Sequence, residues 1–162
     1  MKSIVEKLKN LYGLAGRALA RLQSPFLLAV RLYWGWQLSE TGWGKLHNLP
    51  HVVDFFTSLN LPAPGATAVF VSLFEFIGGI LLALGFITMP TCIGVVVDMF
   101  VAYITADKEA FASFFSDPGK FYNADPYTFL FAGLLILVFG PGKISVDHYL
   151  GEFFFKKKDS QV

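Results

Sequence analysis

The sequence has a single cysteine, Cys92, so the chain cannot form an internal disulfide or a CxxC dithiol centre. Any redox chemistry would therefore need a bound cofactor. Glycine-rich phosphate loops, nucleophile motifs and nucleic-acid-binding signatures are also missing from the sequence. These absences argue against a dithiol oxidoreductase, a nucleotide-dependent enzyme and a nucleic-acid-binding protein.

Histidine is scarce as well, with only His47, His51 and His148 in the chain. A membrane haem needs axial His or Met ligands at membrane depth, and none of these histidines lies inside a long apolar segment. The spacing of His47 and His51 would suit a metal only if that loop were helical, with Asp54 as a further ligand; we expect a solvated pair instead. The sequence therefore predicts neither haem nor a metal site.

Charged residues are also few. Charged residues make up 15% of the chain and hydrophobic residues 54%, whereas a typical soluble domain is about a quarter charged. This composition predicts a membrane protein, and 162 residues suit one domain. Four apolar segments are candidate spans, at about residues 25–43, 67–86, 90–104 and 127–139. We therefore predict an all-α membrane protein, a four-transmembrane-helix antiparallel bundle with a tight hairpin between its second and third spans.

The segment before the first span has a different pattern. Residues 2–22 carry apolar side chains at helical spacing, with most basic residues away from that stripe. This pattern is typical of an amphipathic helix in the membrane interface. No small-residue cleavage site follows, so we expect the segment to be retained. The predicted organisation is an amphipathic N-terminal helix (1–23), a transmembrane domain (24–150) and a basic cytoplasmic tail (151–162).

Basic residues are concentrated at the two ends of the chain. Nine of the 13 Lys and Arg residues precede the first span or follow the fourth: Lys2, Lys7, Lys9, Arg17, Arg21, Lys143, Lys156, Lys157 and Lys158. Lys and Arg accumulate on the cytoplasmic side of membrane proteins. An even number of crossings puts both ends there, which supports four spans with cytoplasmic termini.

Three charged residues lie deep within the predicted spans: Arg31 in the first, Glu75 in the second and Asp98 in the third, whereas Glu40 lies toward the outer end of the first. An ion in an apolar medium is costly unless it is paired. From the cytoplasmic ends of their spans, Arg31, Asp98 and Glu75 lie roughly 9, 12 and 18 Å deep by helical rise. We expect them to face the bundle interior and share one network, in which Arg31 pairs with Glu75, with Asp98 or with both.

This network has two interpretations. If only one carboxylate is paired, the other is expected to hold a proton at neutral pH, which makes Glu75 and Asp98 candidate catalytic proton carriers. Alternatively, the network only fixes the register of the helices.

One face of the first span carries, at helical spacing, Arg31, Gly35, Leu38, Gly42 and Lys45. Lys45 would lie at the outer mouth of this face. Trp34, Trp36 and Trp43 could line a cavity for a flat aromatic ligand, although tryptophans near a bilayer boundary are commonly interface anchors. Gln37 and Glu40 add polarity toward the outer end of this helix and suggest a wet or ligand-filled vestibule there.

Several short motifs, taken in order, resemble one known family. They are "VRLYWG", "GWGKL", "LNLP", "EFIGGILLALG", "DMFVA" and a closing "GPGKISVD", spread over about residues 25–148. This series resembles the DoxX family of small four-helix membrane proteins, and the resemblance implies a four-helix bundle in the bacterial cytoplasmic (inner) membrane.

The resemblance also implies a link to membrane redox chemistry. One branch of the family resembles a subunit of a thiosulfate and quinone oxidoreductase, and another a partner of thiol and superoxide defence proteins. A quinone is then the expected ligand, bound by residues drawn from Arg31, Trp34, Gln37, Lys45 and Glu75, with Glu75 or Asp98 carrying protons.

Three functions remain open at this stage. The first is a redox-linked accessory or quinone-reactive subunit with a redox partner protein. The second is a small-molecule or lipid-binding protein or carrier, and the third is a structural adaptor for a soluble partner. Membrane lipids are expected partners of each, and a homo-oligomer stays an open alternative.

Overall fold

The structure, a computed structural model, describes the backbone of residues 2–151, together with the side chains of residues 6 and 9–151. Within that range the chain is helical and contains no strand. The elements are α1 (Lys2–His47), α2 (Leu49–Ser58), α3 (Pro64–Leu84), α4 (Thr88–Thr105), α5 (Lys108–Ala112), α6 (Pro118–Tyr122) and α7 (Pro126–Phe139). The predicted tail at 152–162 lies outside the described residues.

Helix α1 joins two segments that the sequence analysis separated. It runs for 46 residues without a break, a length of about 69 Å, and Pro25 lies inside it. The predicted boundary near residue 23 is therefore not a helix end, because the Leu-, Ala- and Arg-rich residues before Pro25 are strong helix formers. Residues 9–23 are exposed throughout. Their place in a membrane interface stays a prediction.

The other predicted spans coincide with helices. Two helices in the described range, α3 and α4, are long and apolar enough to cross a membrane, and they correspond to the second and third predicted spans. Helix α7 matches the fourth but has only 14 residues. The first predicted span corresponds to the second half of α1.

Four helices pack in a ring. Helix α1 lies against α3, α3 against α4 and α4 against α7, which closes the ring on α1. Residues 85–87 join α3 to α4 as the predicted tight hairpin, with Gly85 in the left-handed region at φ 66°. We call this side of the molecule the hairpin end. The opposite side, covered by α2, α5 and α6, is the capped end.

Glycines allow the closest of these helix contacts, between α1 and α3. A Cβ added to Gly35 would lie 2.6 Å from the Gly79 carbonyl oxygen, and one added to Gly42 would lie 2.7 Å from the Ser72 carbonyl oxygen. Because neither position can hold a side chain, the two backbones meet directly, as small residues permit in membrane bundles. Three small apolar clusters fill the interior: Leu38, Val95 and Met99; Leu82, Cys92 and Ile136; and Val52, Phe56 and Ala68.

The α1–α3 contact predicts the effect of a single methyl group. Gly42→Ala should lower the free energy of unfolding by about 1–3 kcal/mol, because the added carbon overlaps the α3 backbone. Gly44→Ala is the matched control, since a Cβ there has nothing within 4 Å. Thermal unfolding in detergent checks both variants. Equal stability of the two would contradict a close α1–α3 contact.

Candidate functional site

An ion pair joins α1 to α3 inside the bundle. The Lys45 ammonium donates a hydrogen bond of 2.6 Å to Oε1 of Glu75. The Glu75 side chain is only 3% exposed and that of Lys45 30% exposed. Gly42, one turn before Lys45, packs on the backbone of Ser72 and Glu75. The glycine contact therefore brings the two charges within reach of each other.

A second carboxyl group stands beside this pair. Asp98 of α4 interacts electrostatically with both Glu75 and Lys45. Among the described atoms, Oδ2 of Asp98 and Oε2 of Glu75 are buried without a hydrogen-bond partner. We call these three residues the acid centre. It has two carboxyl groups for one ammonium, and its free oxygens can take a proton or a ligand hydrogen bond.

Arg31 lies elsewhere, which corrects the sequence analysis. Its guanidinium donates a hydrogen bond to the carbonyl oxygen of Ile144, and its electrostatic partner is Asp147. Within the described residues it forms no ion pair with Glu75 or Asp98, so the predicted network centred on Arg31 is wrong.

The direction of helical side chains explains this difference. Long side chains on a helix point back toward its N-terminus. Helix α1 runs from the hairpin end to the capped end, so Arg31 points to the hairpin end and Lys45 points inward. Helix α3 runs the opposite way, so Glu75 points toward Lys45. Depth alone does not reveal this.

Around Arg31 the chain forms a structural unit that we call the hairpin clasp: Arg31, Gly85, Ile144, Ser145 and Asp147. Any Cβ on Gly85 would overlap the guanidinium, so this position needs glycine for space as well as for its φ. The Asp147 carboxylate accepts hydrogen bonds of 2.8 Å from the backbone N–H groups of Ile87 and Thr88, at the start of α4. Its own N–H donates to the Gly85 carbonyl oxygen at 2.9 Å.

These contacts affect the charge of Asp147. Burial favours its neutral form, but the hydrogen bonds from Thr88 and Ile87, with the charge of Arg31, outweigh burial and lower the pKa of Asp147. In the sequence, Asp147 belongs to the "GPGKISVD" motif and carries no other signal of a functional role. Its position just after the last span, at the end to which Arg31 points, is the signal that could have paired them.

Trp34 and Gln37 lie in a third location, separate from the hairpin clasp and the acid centre. They line a cavity of 520 Å³ near the capped end, which we call the vestibule. Its lining residues are Tyr33, Trp34, Gln37, Thr41, Tyr122, Asn123, Ala124, Asp125, Thr128 and Phe129. None of the acid-centre residues lines it. The predicted ligand-binding set is therefore divided among the hairpin clasp, the acid centre and the vestibule.

Trp36 and Trp43 line a different surface. Together with Phe76, Ile80 and Leu84 they border an apolar groove of 560 Å³ between α1 and α3, the α1–α3 groove. The centroids of the Trp43 and Phe76 rings lie 5.2 Å apart.

No group of three or more His, Cys, Asp or Glu side chains that could hold a metal ion occurs in the described part of the chain.

Two apolar helices of membrane-spanning length, with ionisable side chains held between helices, are typical of an integral membrane protein. The sequence model of the DoxX family matches residues 26–108, just over half of the 162-residue chain. The protein therefore belongs to the DoxX family, which confirms the resemblance. The match includes Arg31 and the acid centre and ends before Asp147. No curated protein and no solved structure matches the chain.

The acid centre predicts a strong difference between single and double substitution. Lys45→Met should destabilise the protein by about 3 kcal/mol, because Glu75 would be left buried and unpaired. Lys45→Met combined with Glu75→Gln should recover most of that loss.

Unfolding in detergent provides the test, with Lys120→Met as the control. Lys120 pairs with Glu109 at 2.8 Å on the exposed surface, so its loss should change stability little. If Lys45→Met behaved like Lys120→Met, the acid centre would not be a buried ion pair.

The hairpin clasp predicts a pH-dependent effect. Asp147→Asn should cost about 1 kcal/mol at neutral pH, because a charged cap of α4 is lost. Since the folded-state pKa of Asp147 lies below its ordinary value of 3.8, this contribution is complete above that value and is lost as pH falls through the folded-state pKa. Stability measured against pH should thus show wild type and variant converging in strong acid. Asp54→Asn, at an exposed site, is the control.

Proposed function

We propose that this DoxX-family protein is a redox-linked accessory subunit that binds a quinone-type ligand in a bacterial cytoplasmic membrane. In this proposal the second half of α1, with α3, α4 and α7, forms the four spans. The hairpin end and both termini face the cytoplasm. The basic side chains Arg17, Arg21 and Lys143 near that end support this orientation.

The observation that carries the proposal is the acid centre. Ionisable side chains inside a membrane bundle are costly and typically mark ion, proton or substrate paths. The charges of Lys45 and Glu75 balance each other, so the ion pair needs no further acidic residue, yet Asp98 lies beside it. Glu75 and Asp98 each keep one carboxyl oxygen without a hydrogen-bond partner among the described atoms. We assign to Glu75 and Asp98 the holding and release of a proton, with Lys45 stabilising the ionised form.

The α1–α3 groove is the assigned ligand site. It is apolar along most of its length, and the indole rings of Trp36 and Trp43 offer flat surfaces for a ring. The polar residues in its lining are Ser39, whose hydroxyl donates to the Phe76 carbonyl oxygen, and Glu40. A quinone supplies two-electron, two-proton chemistry when it is bound.

The groove and the acid centre lie on opposite sides of the close contact at Gly42. Phe76 lines the groove and directly follows Glu75 in α3, so the same stretch of helix contributes to both. The groove residues fit a ring with an apolar tail, while the acid centre does not line the groove. The proposal therefore gives binding to the groove and proton storage to the acid centre.

A second candidate function is a lipid-binding or small-molecule-binding protein or carrier. The vestibule favours it, because this cavity has polar and aromatic walls and is separate from the groove. In a structural adaptor, the third alternative, both charged clusters would serve packing alone.

The quinone proposal is tested by extracting the protein purified in mild detergent from quinone-containing membranes. Wild type should retain a quinone detectable by chromatography, and Trp43→Leu should lower its occupancy about tenfold, because a stacking surface is lost. Trp34→Leu is the matched control outside the groove. Quinone-free wild type, or equal losses in both variants, would contradict the proposal.

A further inference from the structure

The vestibule exists because α7 is much shorter than its neighbour α1. The ring of Phe129, in the first turn of α7, lies 5.7 Å from the ring of Trp34. From Trp34 to its end at His47, α1 rises a further 20 Å, roughly. The segment from Tyr122 to Asp125 borders the notch that remains beside α1. This leaves a cavity open toward the capped end.

Several polar side chains of the vestibule have unused hydrogen-bonding capacity. In the described contacts, the side-chain amides of Gln37 and Asn123 have no hydrogen-bond partner. Asp125 is the N-cap residue of α7, but its carboxylate accepts no hydrogen bond from that helix. These groups are therefore available to a ligand.

The charge of the vestibule is negative. Asp125 is the one charged residue in its lining. Asp107 lies close enough that burial and the charge of Asp125 raise the pKa of Asp107. Lys108 and Lys120 line an adjoining depression together with Asp107 and Glu109, and Lys120 is paired with Glu109. The vestibule thus favours a cation over an anion.

Aromatic rings complete the lining. Tyr33 and Trp34 meet edge to face, with centroids 4.9 Å apart, and Tyr122 lines the same cavity. The faces of such rings attract cations, and proteins use this contact to bind organic ammonium ligands. An uncharged ligand could use the carboxylate only as a hydrogen-bond acceptor, whereas an ammonium group pairs with its charge and also contacts the rings.

We propose that the vestibule binds an ammonium group, with Asp125 as its counter-charge, Tyr33, Trp34 and Tyr122 as its aromatic walls, and Gln37 and Asn123 as hydrogen-bonding groups. The group belongs to a lipid headgroup such as ethanolamine or to a free amine; both sources share this chemistry. The site is independent of the α1–α3 groove and of the quinone proposal.

The test uses the full-length protein with Trp36→Phe and Trp43→Phe, which leaves Trp34 as the only tryptophan. Its fluorescence is titrated in detergent with phosphatidylethanolamine or phosphatidylglycerol, and separately with ethanolamine hydrochloride against potassium chloride at equal ionic strength. We expect a saturable change with phosphatidylethanolamine and none with phosphatidylglycerol. Asp125→Asn should weaken binding at least tenfold, and Asp54→Asn should leave it unchanged.

The arms distinguish the sources of the ammonium group. A response to phosphatidylethanolamine alone assigns a lipid headgroup, and an additional saturable response to ethanolamine assigns the free amine as sufficient. Tyr122→Leu, at an exposed position, provides a second variant that should weaken binding if Asp125→Asn does not fold. Three results would overturn the proposal: equal binding of phosphatidylethanolamine and phosphatidylglycerol, no binding of phosphatidylethanolamine or ethanolamine, or unchanged binding in both Asp125→Asn and Tyr122→Leu.

Discussion

The Lys45–Glu75 ion pair is the interaction on which the arrangement of this bundle depends. An ionised carboxyl group at 3% exposure between membrane helices is costly without a partner, and the partner of Glu75 comes from a different helix. The pair forms only because Gly42 lets α1 touch the backbone of α3 one turn away. Sterics and electrostatics therefore specify the same α1–α3 contact.

The two charged clusters, the hairpin clasp and the acid centre, lie toward opposite ends of the bundle and differ in their contacts. At the hairpin end, Arg31 and Asp147 hold the segment after α7 onto the α3–α4 turn, which joins three parts of the chain far apart in sequence. Nearer the capped end, the acid centre keeps unused oxygens. The first cluster joins chain segments through the hydrogen bonds of Arg31 and Asp147, although Nε and Nη1 of Arg31 are buried without a hydrogen-bond partner among the described atoms. The second has the character of a site.

Much of this fold could be predicted from the sequence. The apolar segments located α3, α4 and α7 to within a few residues, and helical spacing put Gly35, Gly42 and Lys45 on the face of α1 that meets α3. The continuity of α1 through Pro25 was missed, because proline usually weakens a helix and the polarity changes there.

The partner of Arg31 could not be predicted from depth and charge. Several acids could reach it, and the choice depends on the direction in which helical side chains point and on the return of residues 144–147 to the bundle. That return segment has no periodic pattern. The vestibule was predicted from Gln37 and Glu40, of which only Gln37 lines it, while Glu40 lines the α1–α3 groove. The opposite wall of the vestibule comes from residues 122–129, whose position depends on the short α7.

The most direct test of this account is a distance between Lys45 and Glu75 in a lipid bilayer. Solid-state NMR of protein labelled with ¹⁵N at lysine Nζ and ¹³C at glutamate Cδ measures their dipolar coupling, and Glu75→Gln assigns it. The account predicts a resolvable coupling between Nζ and Cδ, because the hydrogen bond from Nζ to Oε1 is 2.6 Å long, and the loss of that coupling in the variant. A spectrum in which no lysine couples to Glu75 would contradict it.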